Sequence, residues 1–285
     1  MTLIKNLTVL WRLFFAVPMV AFGVQHLIYL DFVTRVFPRL PAWVPFPSFL
    51  AFVGGVFLIA AGVAIMTGMA ARLMALLLGA VIFVSFALLH LPIALANPSH
   101  GGLWTMAGKA LFMSGGSFLV ASSLPVESGN AADRFAPMTR VLEKFIPPAP
   151  YFLAIFLILC GILHFIYVDF VASLVPGWIP GTIFWTYFAG VALIAGGVGI
   201  CVRSTSQLAA ALSGLMIFLW VLMLHIPRAA ADLHNSNETT AVFEALACSG
   251  TAFLVVATAA VKSKDVLHSV ADNPVPPAEF RLRYK

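Results

Sequence analysis

The sequence predicts an all-α integral membrane protein: eight transmembrane helices forming two parallel four-helix-bundle repeats, with a pseudo-twofold axis along the membrane normal. Three observations carry this expectation. Of 285 residues, 61% are hydrophobic and only 9% are charged, with a mean hydropathy of +1.01, whereas charged residues make up about a quarter of a soluble domain. Apolar runs recur at roughly the 20-residue length that a spanning helix needs. The polar residues that interrupt those runs occur twice, in the same order.

The apolar runs fall at about residues 10–30, 48–67, 71–96 and 104–123, and again at about 150–171, 182–202, 207–227 and 240–261. The first is read as a retained span, because it is long and lacks a small-residue cleavage site. HLIYLDF at 26–32 closes the first run, and HFIYVDF at 164–170 closes the fifth. PAWVP at 41–45 and PGWIP at 176–180 introduce the second and sixth, with prolines that break helix. Inside those runs, GGVFLIAAG at 54–62 matches AGVALIAGG at 189–197, with glycines spaced for close helix packing. LLHLP at 88–92 and MLHIP at 223–227 close the third and seventh. In the fourth and eighth, WTMAGKALFMSGG aligns with TAVFEALACSG, which places Lys109 at the position of Glu244. A short insertion in the first copy, within TRVFPRLPAW, shifts the register between the copies. The expected organisation is repeat 1 at residues 1–123, a cytoplasmic linker at 124–149, repeat 2 at 150–261 and a basic cytoplasmic tail at 262–285. An even number of spans per copy gives both copies the same direction across the bilayer, as in parallel-repeat transporters.

Basic residues set the orientation. With both termini on one side, that side collects Lys5, Arg12, Arg72, Arg134, Arg140, Lys144, Arg203 and the cationic tail, while the other keeps Arg35, Arg39, Lys109 and Arg228. The positive-inside rule then puts both termini in the cytoplasm. The net charge of +5 is accounted for by topology and anionic lipid head groups, with no nucleic acid partner. Cys160, Cys201 and Cys248 form no CxxC pair and read as small apolar filler.

Candidate ligand-binding residues follow from depth. His26 and His90 lie near the outer ends of spans one and three, and His164 and His225 hold the same places in the second copy. Ionisable side chains inside spans are costly and mark sites. Tyr29 and Tyr167 follow the first histidine of each copy by three residues, on the same helix face. Asp31 and Asp169 come next, as ligand groups or as caps for loop donors. Trp43 and Trp178 sit between prolines, in loops that either fold over a His-lined outer cavity or anchor at the lipid interface. Lys109 and Glu244 are expected to face inward, either paired with each other or diverged so that one copy alone is active. Facing histidines, His26 with His90 and His164 with His225, could also hold haem or copper.

In each copy a first span with a glycine three residues before its histidine, a Pro-x-Trp-x-Pro loop, a glycine-rich second span, an HxP after the third and GGSFLV or GTAFLV ending the fourth resemble the DoxX-like membrane proteins. The resemblance covers about residues 8–123 and 150–261, and implies a tandem of four-helix units in a bacterial inner membrane. Relatives in that family include the membrane subunit of a thiosulfate:quinone oxidoreductase. The resemblance therefore implies a redox-associated protein with quinone as ligand and membrane or peripheral redox subunits as partners. No Walker loop, dinucleotide fingerprint, HExxH or serine triad is present. Three function classes stand: quinone or small-ligand binding within a membrane oxidoreductase, small-molecule transport, and a non-catalytic scaffold.

Overall fold

A computed structural model describes residues 2–33, 35, 37, 40, 44–126, 130–232 and 234–272, with backbone alone for 2–5, 130–134 and 260–272. All regular structure among them is helical. The first half contributes α1 (Thr2–Tyr29), α2 (Pro47–Thr67), α3 (Ala71–Ser85), α4 (Leu91–Ala96) and α5 (Gly101–Ser122). A connecting helix, α6 (Asn130–Leu142), leads to α7 (Ala149–Ile166), α8 (Val168–Leu174), α9 (Thr182–Cys201), α10 (Ser206–Trp220), α11 (Ile226–Ala231) and α12 (Ser236–Asp272).

Each HxP motif has a local structural effect. α3 passes into α4 through a π-helical turn at Phe86–His90, and α10 passes into α11 through one at Val221–His225. Pro92 and Pro227 lack an N–H and crowd the carbonyl one turn back, and the widened π turn absorbs both defects without ending the helix.

Helix pairing repeats between the halves. α1 packs on α2 as α7 packs on α9, α3 on α5 as α10 on α12, and α5 on α7 as α12 on α1. The close approaches also correspond. A Cβ on Gly23 would stand 2.6 Å from Gly55 O, and one on Gly161 would stand 2.7 Å from Gly190 O, so the backbones touch where only glycine fits. Ser114 Oγ donates to Gly79 O at 2.8 Å, and Ser249 Oγ donates to Gly214 O at 2.9 Å.

Among the described residues, seven helical stretches are long and apolar enough to cross a membrane: Asn6–Tyr29, Pro47–Thr67, Ala71–Ala96, Ala149–Ile166, Thr182–Cys201, Ser206–Ala231 and Ser236–Ala259. The chain is thus an all-helical, multi-pass membrane protein. The eighth expected span, α5, is 22 residues long but is not among the seven. Its residues from Ala107 to Ala121 are all buried by protein. A helix shielded from lipid can carry Lys109, glycines and serines at no cost in bilayer contact, which explains its lower apolarity. By contrast, α2 and α9 leave Phe49, Val53, Val56, Phe184, Phe188 and Val191 exposed, as a lipid-facing surface does.

Candidate functional site

α5 and α12 meet at the centre of the bundle, and a charged cluster joins them. Lys109 Nζ lies 2.9 Å from Glu244 Oε1 and 2.8 Å from Oε2. Arg35 Nε donates to Glu244 Oε2 at 2.9 Å, reaching in from the α1–α2 connection. The side chains of Lys109 and Glu244 are 10% and 7% exposed, while that of Arg35 is 34% exposed. One buried carboxylate therefore serves two cations. Lys109 and Glu244 thus pair with each other, the first of the two arrangements expected for them. Arg35 was counted in the sequence only as a topological charge.

A cavity of about 490 Å³ opens between the start of α5, the end of α7 and α8. It is mostly apolar, and its polar lining comes from Ser99, His100, Thr105, Cys160, His164 and Tyr167. Hydrogen bonds fix what these groups can offer. His164 Nδ1 is 2.7 Å from Cys160 O. A carbonyl only accepts, so Nδ1 carries the proton and Nε2 is left as an acceptor. His100 caps α5, its Nδ1 accepting from Leu103 N at 3.4 Å, so in the neutral ring Nε2 is a donor. Tyr167 Oη donates to Ser99 O at 2.8 Å and accepts from Gly101 N at 3.0 Å, tying the end of α7 to the start of α5. The cavity thus pairs one imidazole acceptor with one imidazole donor on largely carbon walls, the usual make-up of a small-molecule site.

The corresponding region of the first half is closed. His26 repeats the geometry of His164, with Nδ1 2.7 Å from Phe22 O, but is only 3% exposed. Phe22 stands at the position of Cys160 and is buried, edge-on to Phe243. Gln25, at the position of Leu163, accepts from Thr240 Oγ1 at 3.1 Å. Beyond His26, rings fill the space toward His90. Phe32 meets His26 edge-on at 5.4 Å, stacks on Phe37 at 4.4 Å, and Phe37 meets His90 edge-on at 5.5 Å. His90 Nδ1 is within 3.1 Å of Ser85 O. A haem or copper ion shared by His26 and His90 does not fit this arrangement, because two phenyl rings occupy the space between them.

Several expected site residues lie elsewhere. Tyr29 does not share the buried face of His26. It is the last residue of α1, followed by Leu30 at a positive φ of 47°, and is 54% exposed. Asp31 accepts from Phe32 N at 2.7 Å, capping the chain as it leaves α1. Asp169 is exposed in the first turn of α8. Trp178 is 66% exposed and is not among the residues that line the cavity beside His164. Its position suits an interfacial anchor. Trp43 lies outside the described residues. The aromatic neighbour of His164 is Trp220, stacked at 6.5 Å. His225 is half-buried at the end of its π turn. Among the described residues, no three His, Cys, Asp or Glu side chains gather as a metal site. His100 and Thr105 were not singled out in the sequence, and Cys160 was read there only as apolar filler, whereas it lines the cavity. The one available signal was the cap position of His100 before Gly-Gly, where Asn235 stands ahead of α12.

Comparison with known proteins gives one partial match: a domain of unknown function (DUF8561) matches residues 153–262. No curated protein and no solved structure matches the chain.

Proposed function

We propose that the chain is two DoxX-like four-helix units fused in tandem, eight spans in all, and that it binds a quinone or hydroquinone at one site, in its second half. The tandem reading is supported by the matched helix pairs, glycine contacts and serine hydrogen bonds of the two halves. It makes α5 the eighth span and sets both termini on the cytoplasmic side of a bacterial inner membrane. The observation that carries the ligand is the cavity beside His164. A hydroquinone hydroxyl donates to His164 Nε2, a carbonyl or second oxygen accepts from His100 Nε2–H, and the ring lies against Leu163, Phe170 and Val171. His164 Nε2 then takes one of the two protons that the hydroquinone loses, the second leaves to water at the open mouth of the cavity, and a redox partner subunit takes the two electrons.

Binding of the short-chain analogue decylubiquinol to the purified protein, followed by quenching of tryptophan fluorescence, tests this. Saturable binding at one molecule per chain is expected. It is lost in Cys160→Phe, which gives the cavity the first half's phenyl ring, weakened in His164→Phe, and unchanged in His26→Phe variants that remain folded. Absence of saturable binding by either quinol or quinone, or full binding by a folded C160F protein, refutes the reading.

A further inference from the structure

The connection between the halves is a candidate interaction surface that the ligand site does not use. α6 packs on α3 and is held at its far end by Arg72, whose Nη2 lies 2.7 Å from Glu143 Oε1. The following turn, Glu143–Phe145, locks into the core where Phe145 stacks on Phe118 at 5.4 Å. Thr139 and Leu142 are partly buried, as a face against the bundle requires. The adjoining stripe is apolar and bare: Phe135, Met138 and Val141, three residues apart in turn, are 41%, 38% and 55% exposed. Arg140 is exposed on the opposite side of the helix, and Lys144 is exposed just beyond its end.

This stripe has a definite depth. α6 lies at the end of the bundle where α3 begins, α5 ends and α7 begins. Exposed Met69, in the turn before α3, continues the apolar surface at that level. Helices with an apolar stripe and a cationic far side lie in the plane of the lipid interface, with the stripe in the upper acyl region. On the positive-inside reading this end faces the leaflet rich in anionic lipid. Within α6 the charge of Asp133 is balanced in sequence by Arg134, and Glu143 is taken up by Arg72, so Arg140 and Lys144 leave the segment net positive toward head groups. We infer that α6 is an interfacial anchor that seats Phe135, Met138 and Val141 in the anionic leaflet and sets Arg140 and Lys144 among its phosphates.

The test uses the full chain in nanodiscs, with Cys160, Cys201 and Cys248 replaced by serine and one cysteine introduced as Met138→Cys or Arg140→Cys to carry an environment-sensitive fluorophore. At position 138, quenching by lipid bearing a nitroxide high on its acyl chain is expected to exceed quenching by aqueous iodide several-fold, with the reverse at position 140. Adding phosphatidylglycerol to phosphatidylcholine discs deepens the lipid quenching at 138, and Arg140→Gln with Lys144→Gln abolishes that increment. Equal iodide access at both positions overturns the proposal. So does a label at 138 shielded from iodide and nitroxide alike, which marks a protein contact instead. Cys160→Ser does alter the cavity wall, but the label at 138 or 140 reports depth with no ligand added, so the result is independent of quinol binding.

Discussion

Glu244→Leu and Lys109→Met remove opposite ends of one buried ion pair, yet the structure predicts unequal costs. Glu244 holds Lys109 at 2.8 Å and Arg35 at 2.9 Å, so deleting it strands a buried ammonium and frees a guanidinium. Breaking a buried pair in this way costs about 3–5 kcal/mol. Lys109→Met leaves Glu244 bonded to Arg35, so the loss is one charge-assisted hydrogen bond, roughly 1.5–3 kcal/mol. In the double variant no buried charge remains, because Arg35, a third exposed, turns outward. Its cost should fall well below the sum of the single changes, with a coupling of about 2 kcal/mol. Unfolding in mixed micelles by titration with dodecyl sulfate, followed by helical circular dichroism, measures each variant. Additivity within about 0.5 kcal/mol, or a Lys109→Met cost equal to that of Glu244→Leu, refutes the shared-carboxylate reasoning.

Two further outcomes follow from packing. Gly23→Ala and Gly161→Ala push a methyl group to within 2.6 Å and 2.7 Å of a carbonyl oxygen and should each lose about 1–3 kcal/mol, whereas Gly177→Ala, with nothing within 4 Å, should stay within about 0.5 kcal/mol in the same titration. Arg72→Ala removes bonds from Nη1 to Ala121 O at 2.6 Å and Leu124 O at 3.1 Å together with the Glu143 contact, so it should lower stability by about 3 kcal/mol and speed proteolysis between residues 124 and 149.

Membrane class was legible in the sequence because a bilayer imposes length and apolarity on each span separately, with no need to know which helices touch. α5, expected as an eighth span, falls outside that rule: its residues from Ala107 to Ala121 are buried by protein, and its composition answers to those neighbours. Buried glycines could be read in pairs because close approach demands a residue type. The cavity could not. Its donor His100 and acceptor His164 come from helix ends that are distant in sequence, and the depth argument that selected His26, His90, His164 and His225 treated all four as equivalent. Burial separates them: His26 and His90 face rings of their own chain, and His164 alone of the four lines the cavity. Arg35 escaped because it lies in the insertion of the first copy, where the repeat offers no counterpart to compare.

That insertion bears on why the halves differ. Lys109 and Glu244 occupy matching positions and meet each other, so in a symmetric pair of identical four-helix units this residue would face its own copy. Two lysines or two glutamates there, away from water, would repel. On the tandem reading, fusion into one chain frees the two positions to take opposite charges, and Arg35, bonded to Glu244 on α12, sets which of them is the acid. The same freedom operates at the cavity. Phe22 and Gln25 close the first half with a ring and a hydrogen bond, where Cys160 and Leu163 leave the second half open. On the tandem reading, one half therefore contributes rigidity and the clamp on Glu244, and the other keeps a site with a histidine acceptor free for ligand.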